Sequence, residues 1–72
     1  MNKKQLLKEL ECIFEKKKIK ENTSLDKLNF DSLKILELIA FKEIKFKNLK
    51  IKPIDFYNCK KVIDIVKLLK VK

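Results

Sequence analysis

The stretch SLKILELIAFKEIK, Ser32 to Lys45, decides the fold because it is the most apolar segment of this 72-residue chain. Four apolar residues at helical spacing form one row: Leu33, Leu36, Ala40 and Ile44. Four more widen that row around the helix: Ile35, Leu38, Ile39 and Phe41. The pattern predicts a helix over Ser32–Lys45 that lies centrally and contacts several neighbours.

Two further helices and one short helical turn are predicted on either side of this segment. The first helix runs from Asn2 to about Lys17, with an apolar face made by Leu6, Leu10, Ile13 and Phe14. The last helix runs from about Lys60 to Lys70, with an apolar face made by Val62, Ile65, Val66 and Leu69. A single helical turn is predicted from Pro53 to Tyr57.

The connection between the first two helices, Ile19 to Phe30, is long but has apolar anchors of its own: Ile19, Leu25, Leu28 and Phe30. We predict an ordered loop with one turn starting at Thr23 or Ser24. The segment after the second helix alternates weakly between apolar and polar residues, as a strand would, but no other segment is predicted to be a strand that could pair with it. The predicted fold is all-α, a small bundle of three main helices plus one short helix, in one domain over residues 1–72.

Composition excludes several classes of function. No apolar run approaches the roughly 20 residues that span a bilayer, and no secretory h-region follows the first lysines, so we expect a cytoplasmic protein. Histidine is absent, which removes the usual general base near neutral pH and argues against a self-contained hydrolase. Cys12 and Cys59 have no histidine partner for zinc, and we expect free, partly buried thiols rather than a disulfide.

The formal charge of +9 arises from 19 lysines against 10 acidic residues, and arginine is absent. Such a charge raises an alternative function, a lysine-rich helical module that binds nucleic acid or an anionic membrane surface. Two observations argue against nucleic-acid binding. Proteins that recognise bases and phosphates rely on arginine, which is absent here, and the lysines are spread along the chain from Lys3 to Lys72. Codon bias explains such lysines equally well.

Asp31 and Ser32 open the central helix, and both residue types are favoured helix caps. The wider segment Leu25 to Phe46 resembles the acyl carrier protein family, whose members bear 4′-phosphopantetheine on an Asp-Ser-Leu motif, here Asp31-Ser32-Leu33. The matching positions further along are these: Glu37-Leu38, Glu43, Phe46, Leu49, Ile51, Pro53 and the helix Val62 to Leu69. The resemblance covers nearly the whole chain and implies an acyl-carrier-like bundle.

The resemblance implies that Ser32 is the attachment point of 4′-phosphopantetheine from coenzyme A, whose thiol holds an acyl or aminoacyl group as a thioester. Asp31 is either a plain charge at a helix start or a contact to the transferase's metal and the arm. Four residues are implied as partner contacts: Leu33, Lys34, Leu36 and Glu37. Of the two leucines, Leu36 is expected to lie in the core. For Leu33, a place in the core and a contact with a partner are expected about equally.

The implied partners are a phosphopantetheinyl transferase, an acyl- or amino-acid-activating ligase and a downstream acyltransferase. The resemblance implies that the chain itself is a monomeric carrier that is not an enzyme and needs no metal. Carriers of fatty acid synthesis are acidic along the second helix, whereas this helix carries Lys34, Lys42 and Lys45. We therefore expect a specialised, stand-alone carrier with a dedicated ligase. A helical interaction module with a decayed site is a further alternative.

Overall fold

The computed structural model describes residues 1–71 and contains four α-helices. They are α1 (Lys3–Phe14), α2 (Ser32–Lys45), α3 (Pro53–Tyr57) and α4 (Val62–Leu68), with a 3₁₀ turn at Leu25–Leu28. Within residues 1–71 the only β-type pairing is an isolated bridge between Ser24 and Lys61. The prediction of an all-α bundle of three main helices and one short helix is confirmed.

The predicted bounds of α2 and α3 are confirmed, whereas the prediction for α1 was too long at its end. Asn2 caps the start of α1, accepting a hydrogen bond from the Gln5 backbone N–H at 2.9 Å. The helix ends at Phe14 because Glu15 takes a left-handed conformation, φ 56°, and the Lys16 N–H bonds back to the Glu11 carbonyl oxygen. The lysine run that follows therefore lies beyond the helix.

The last helix is also shorter than the predicted Lys60–Lys70. The carboxylate of Asp64 accepts hydrogen bonds from the backbone N–H groups of Lys60 and Lys61, at 2.9 and 3.0 Å, and so caps the start of α4. Lys70 takes a left-handed conformation, φ 56°, just after the helix ends. The apolar face predicted for this helix is buried as expected.

The connection between α1 and α2 is ordered and runs back alongside α1. Ile19 N–H donates to the Glu11 carboxylate at 3.0 Å, near the end of α1, and Glu21 pairs with Lys3 at 3.4 Å, at its start. The predicted turn begins after Ser24. The predicted anchors Ile19, Leu25 and Leu28 are buried, and Phe30 is half-buried.

The side of α2 that faces the core differs from the prediction. Ile35, Leu38 and Phe41 are buried there, whereas the row predicted as central, Leu33, Leu36, Ala40 and Ile44, is exposed. Both rows have helical spacing, so periodicity alone does not select the inward one. The contacts of α2 with α1 and α3 select it, since a bundle of so few residues leaves one side of each helix in water.

The exposed start of helix α2

Asp31, not Ser32, is the N-cap of α2. Its Oδ1 accepts a hydrogen bond from the Lys34 N–H at 3.0 Å, and its carbonyl oxygen accepts from Ile35 N–H at 3.0 Å. Ser32 is therefore the first residue inside the helix, and its side chain is exposed. Because the cap bond is made by Asp31, the hydroxyl of Ser32 stays outside the capping arrangement.

The surroundings of the Ser32 hydroxyl suit an anion. Ser32 and Leu33 occupy the first two helical positions, where backbone N–H groups have no carbonyl one turn earlier to bond to. The helix dipole adds a partial positive charge at the same place. An exposed hydroxyl beside two free N–H donors can accommodate a phosphate or another anion.

Leu33 and Leu36 lie on the exposed side of α2, where 60 % and 62 % of their surface is accessible. The expectation that Leu36 belongs to the core was wrong. With Ala40 and Ile44 they form a line of exposed apolar side chains, here named the α2 ridge. An apolar line of this kind is typical of a surface that contacts a partner.

Ala40 and Ile44 were not predicted to be surface residues of the site. The available signal was the presence of two apolar rows on one helix of a 72-residue chain. So small a core has no room for both rows, so one of them had to face water. The α2 ridge is that row.

Lys34 joins two helices. Its Nζ donates to the carbonyl oxygen of Ile13 at 2.8 Å and to Glu37 Oε2 at 3.4 Å. Phe14, the residue after Ile13, packs against Phe30 with ring centroids 6.0 Å apart. Lys34 and Glu37 were both expected to bind partners, and the structure brings them together as an ion pair within the chain.

Lys42 is also engaged within the chain. It is only 6 % exposed, and its Nζ contacts Glu43 Oε1 at 2.8 Å. Of the three lysines on α2, Lys45 is the one without an ion pair to another described residue. The surface of α2 is therefore close to neutral, although the whole chain carries +9.

Both cysteines are free thiols, as expected, but the expectation that they are partly buried is wrong for Cys12. Cys12 is exposed, whereas Cys59 is buried and donates from Sγ to the Asp55 carbonyl oxygen at 3.5 Å. Burial raises the pKa of the Cys59 thiol to about 11, and the carboxylates of Asp64 and Asp55 add to that effect. Cys59 is thus a poor nucleophile at neutral pH.

Residues 1–71 contain no group of three or more His, Cys, Asp or Glu side chains placed to hold a metal ion. None of the helices in that range has the length and apolar character needed to cross a membrane.

In comparisons with known proteins, no family model, no curated protein and no solved structure matches the chain.

Proposed function

We propose that the chain is a carrier protein that holds an acyl or aminoacyl group as a thioester on a 4′-phosphopantetheine arm attached to Ser32. The observation that carries this proposal is the exposed Ser32 hydroxyl in the first turn of α2, with Asp31 taking over the cap. The Asp-Ser-Leu motif and the helix order that resemble the acyl carrier protein family support the same function.

In the attachment reaction, the Ser32 Oγ attacks the phosphorus next to pantetheine in coenzyme A. The bond from that phosphorus to the adenosine 3′,5′-bisphosphate oxygen breaks, and the proton of Ser32 passes to a base supplied by the phosphopantetheinyl transferase. The free N–H groups of Ser32 and Leu33 favour the negative phosphodiester that results. When bound, the arm supplies the thiol that forms the thioester.

The α2 ridge supports contact with partner enzymes through apolar side chains. Leu33 and Leu36 flank the proposed arm and are exposed. The ion pairs of Lys34 and Lys42 leave little free charge on α2. Partners that recognise a strongly acidic second helix would find no such surface here, so we assign the carrier to a dedicated ligase and acyltransferase outside bulk fatty acid synthesis.

Intact-mass spectrometry tests the proposal after incubation with coenzyme A and a broad-range phosphopantetheinyl transferase. The wild-type chain is expected to gain the mass of one phosphopantetheine group, and Ser32→Ala is expected to gain nothing. Ser24→Ala is the matched control, because Ser24 is the other serine of the chain and its side chain makes no cap bond to its own turn. A wild-type chain that gains no mass would overturn the proposal.

A further inference from the structure

A surface cavity of about 450 Å³ lies between the start of α1 and the end of α2. It is lined by Met1, Gln5, Glu9, Lys45 and Phe46. Gln5 and Glu9 are one turn apart on α1, so their side chains lie on the same face of that helix. At the other end of the helix pair, Lys34 of α2 bonds to the carbonyl oxygen of Ile13 in α1. The cavity is therefore at the end of α2 that lies away from Ser32.

Two opposite charges line this cavity, and neither is neutralised by a neighbouring side chain. Within residues 1–71, the carboxylate of Glu9 and the ammonium group of Lys45 form no ion pair, either with each other or with another residue. Glu43, the acidic residue closest to Lys45 in sequence, is paired with Lys42 at 2.8 Å. The last turn of α2 adds the partial negative charge of a helix C-terminus. The cavity thus has an attraction for a positive group and a separate attraction for a negative one.

The other lining residues provide apolar contact and a fixed wall. Met1 is 49 % exposed, and Phe46 is half-buried with its ring held against Phe41 at a centroid distance of 5.9 Å. The Gln5 Oε1 accepts a hydrogen bond from the Asn2 N–H at 3.0 Å, which holds that side chain in place. Small-molecule sites are typically cavities of about 300–1,000 Å³ that combine apolar walls with a few placed polar groups. The volume of this cavity is suited to a small ligand.

We infer that the cavity binds a free α-amino acid with an apolar side chain, a property beyond the proposed carrier function and independent of it. The ammonium group of the ligand pairs with Glu9, its carboxylate pairs with Lys45, and its side chain contacts Met1 and Phe46. A ligand with only a positive charge is repelled by Lys45, and a ligand with only a negative charge is repelled by Glu9. A zwitterion satisfies both groups, which selects this class of ligand.

An NMR titration of the unmodified, ¹⁵N-labelled chain with L-leucine tests the inference. The backbone amide signals of Gln5, Glu9 and Phe46 are expected to shift and to saturate with a Kd of about 1 mM, since ion pairs at a surface contribute little each. Three matched ligands each lack one group. They are 4-methylpentanoate without the ammonium group, 3-methylbutylamine without the carboxylate, and glycine without the apolar side chain. Each is expected to bind at least about fivefold more weakly than leucine.

Four conservative variants locate the binding site. Glu9→Gln and Lys45→Gln are each expected to bind leucine at least about fivefold more weakly, because one of the two pairings is lost. Glu15→Gln and Lys16→Gln are the matched controls, since both residues are exposed just after the end of α1, away from the cavity. They are expected to bind within about twofold of wild type. Circular dichroism is expected to show the same helical content for all four, because none of these side chains is buried.

The titration needs no coenzyme A and no transferase, so its result does not depend on whether Ser32 is modified. The absence of a saturable shift with leucine would overturn the inference. Equal binding of leucine and either singly charged ligand would do the same, as would wild-type affinity in both Glu9→Gln and Lys45→Gln.

Discussion

The ammonium group of Lys34 lies 2.8 Å from the carbonyl oxygen of Ile13, so the first turn of α2 is fastened to the last turn of α1. The end of α1 has no basic residue of its own in its last turn, and Lys34 supplies the cation from another helix. Glu37 holds the same ammonium group at 3.4 Å. This contact fixes the position of Ser32, two residues away, relative to the rest of the bundle.

Replacing Lys34 is therefore expected to destabilise the fold. Lys34→Met keeps most of the buried stem but removes the charged hydrogen bond, and we expect a loss of about 1–2 kcal/mol in the free energy of unfolding. Urea denaturation followed by circular dichroism measures it. Lys45→Met, which removes an exposed lysine from the same helix, is the control and is expected to change stability by less than about 0.5 kcal/mol. Equal effects of the two substitutions would contradict the role of Lys34.

Leu36 and Leu38 give a direct test of which side of α2 faces the core. Leu38 is 1 % exposed and Leu36 is 62 % exposed. We expect Leu38→Ala to cost about 2–5 kcal/mol because it leaves a cavity, and Leu36→Ala to cost less than about 0.5 kcal/mol. The same denaturation experiment measures both. A larger loss at Leu36 than at Leu38 would show that the opposite row is buried.

The two thiols are expected to react at very different rates. At neutral pH Cys12 is exposed, whereas Cys59 is buried with a pKa of about 11 and has little thiolate. Iodoacetamide should alkylate the unmodified folded chain once, at Cys12, and a second time only in denaturant. Mass spectrometry of the digested protein assigns the sites. Alkylation of Cys59 at the rate of Cys12 in the folded chain would contradict its burial.

Asp64 is expected to make the stability of the fold depend on pH. Backbone N–H groups of Lys61 and Lys60 hold the pKa of its carboxyl below the usual 3.8, with Lys67 and Lys61 adding attraction. A lowered folded-state pKa means that the contribution is present above the unfolded-state pKa and is lost as pH falls through the folded-state pKa.

Asp64→Asn should therefore lower the melting temperature at neutral pH, and the difference from wild type should shrink in acid, below about pH 4. Thermal denaturation across this range measures both chains. Asp26→Asn is the control, since Asp26 is exposed. A difference for Asp64→Asn that stays constant down to strongly acidic pH would contradict the capping role.

Local signals predicted the elements of this fold well. Asp31 before an apolar segment marked the start of α2, and Pro53 marked the start of α3, because both act within one turn of the helix. The end of α1 was placed too late because lysine is a good helix former. The left-handed turn at Glu15, with its bond from Lys16 to Glu11, ends the helix despite that propensity.

Contacts between residues far apart in the chain could not be predicted from the sequence. Lys34 and Ile13 are 21 residues apart, and no local pattern links a lysine to a distant carbonyl. The two apolar rows of α2 are equally periodic, so only the packing of α1 and α3 decides that Leu36 faces water. Ser32, in contrast, was singled out by the Asp-Ser-Leu motif that resembles the acyl carrier protein family, and such a motif can be recognised without any tertiary contact.

The central claim, a phosphopantetheine arm on Ser32, is tested most directly by mass spectrometry of lysine-specific fragments. Cleavage after Lys20, Lys27 and Lys34 places Ser24 in fragment 21–27 and Ser32 in fragment 28–34. After treatment with coenzyme A and a phosphopantetheinyl transferase, we predict that fragment 28–34 gains the mass of one phosphopantetheine group and fragment 21–27 gains none. An unmodified fragment 28–34, or a gain on fragment 21–27 instead, would contradict the account.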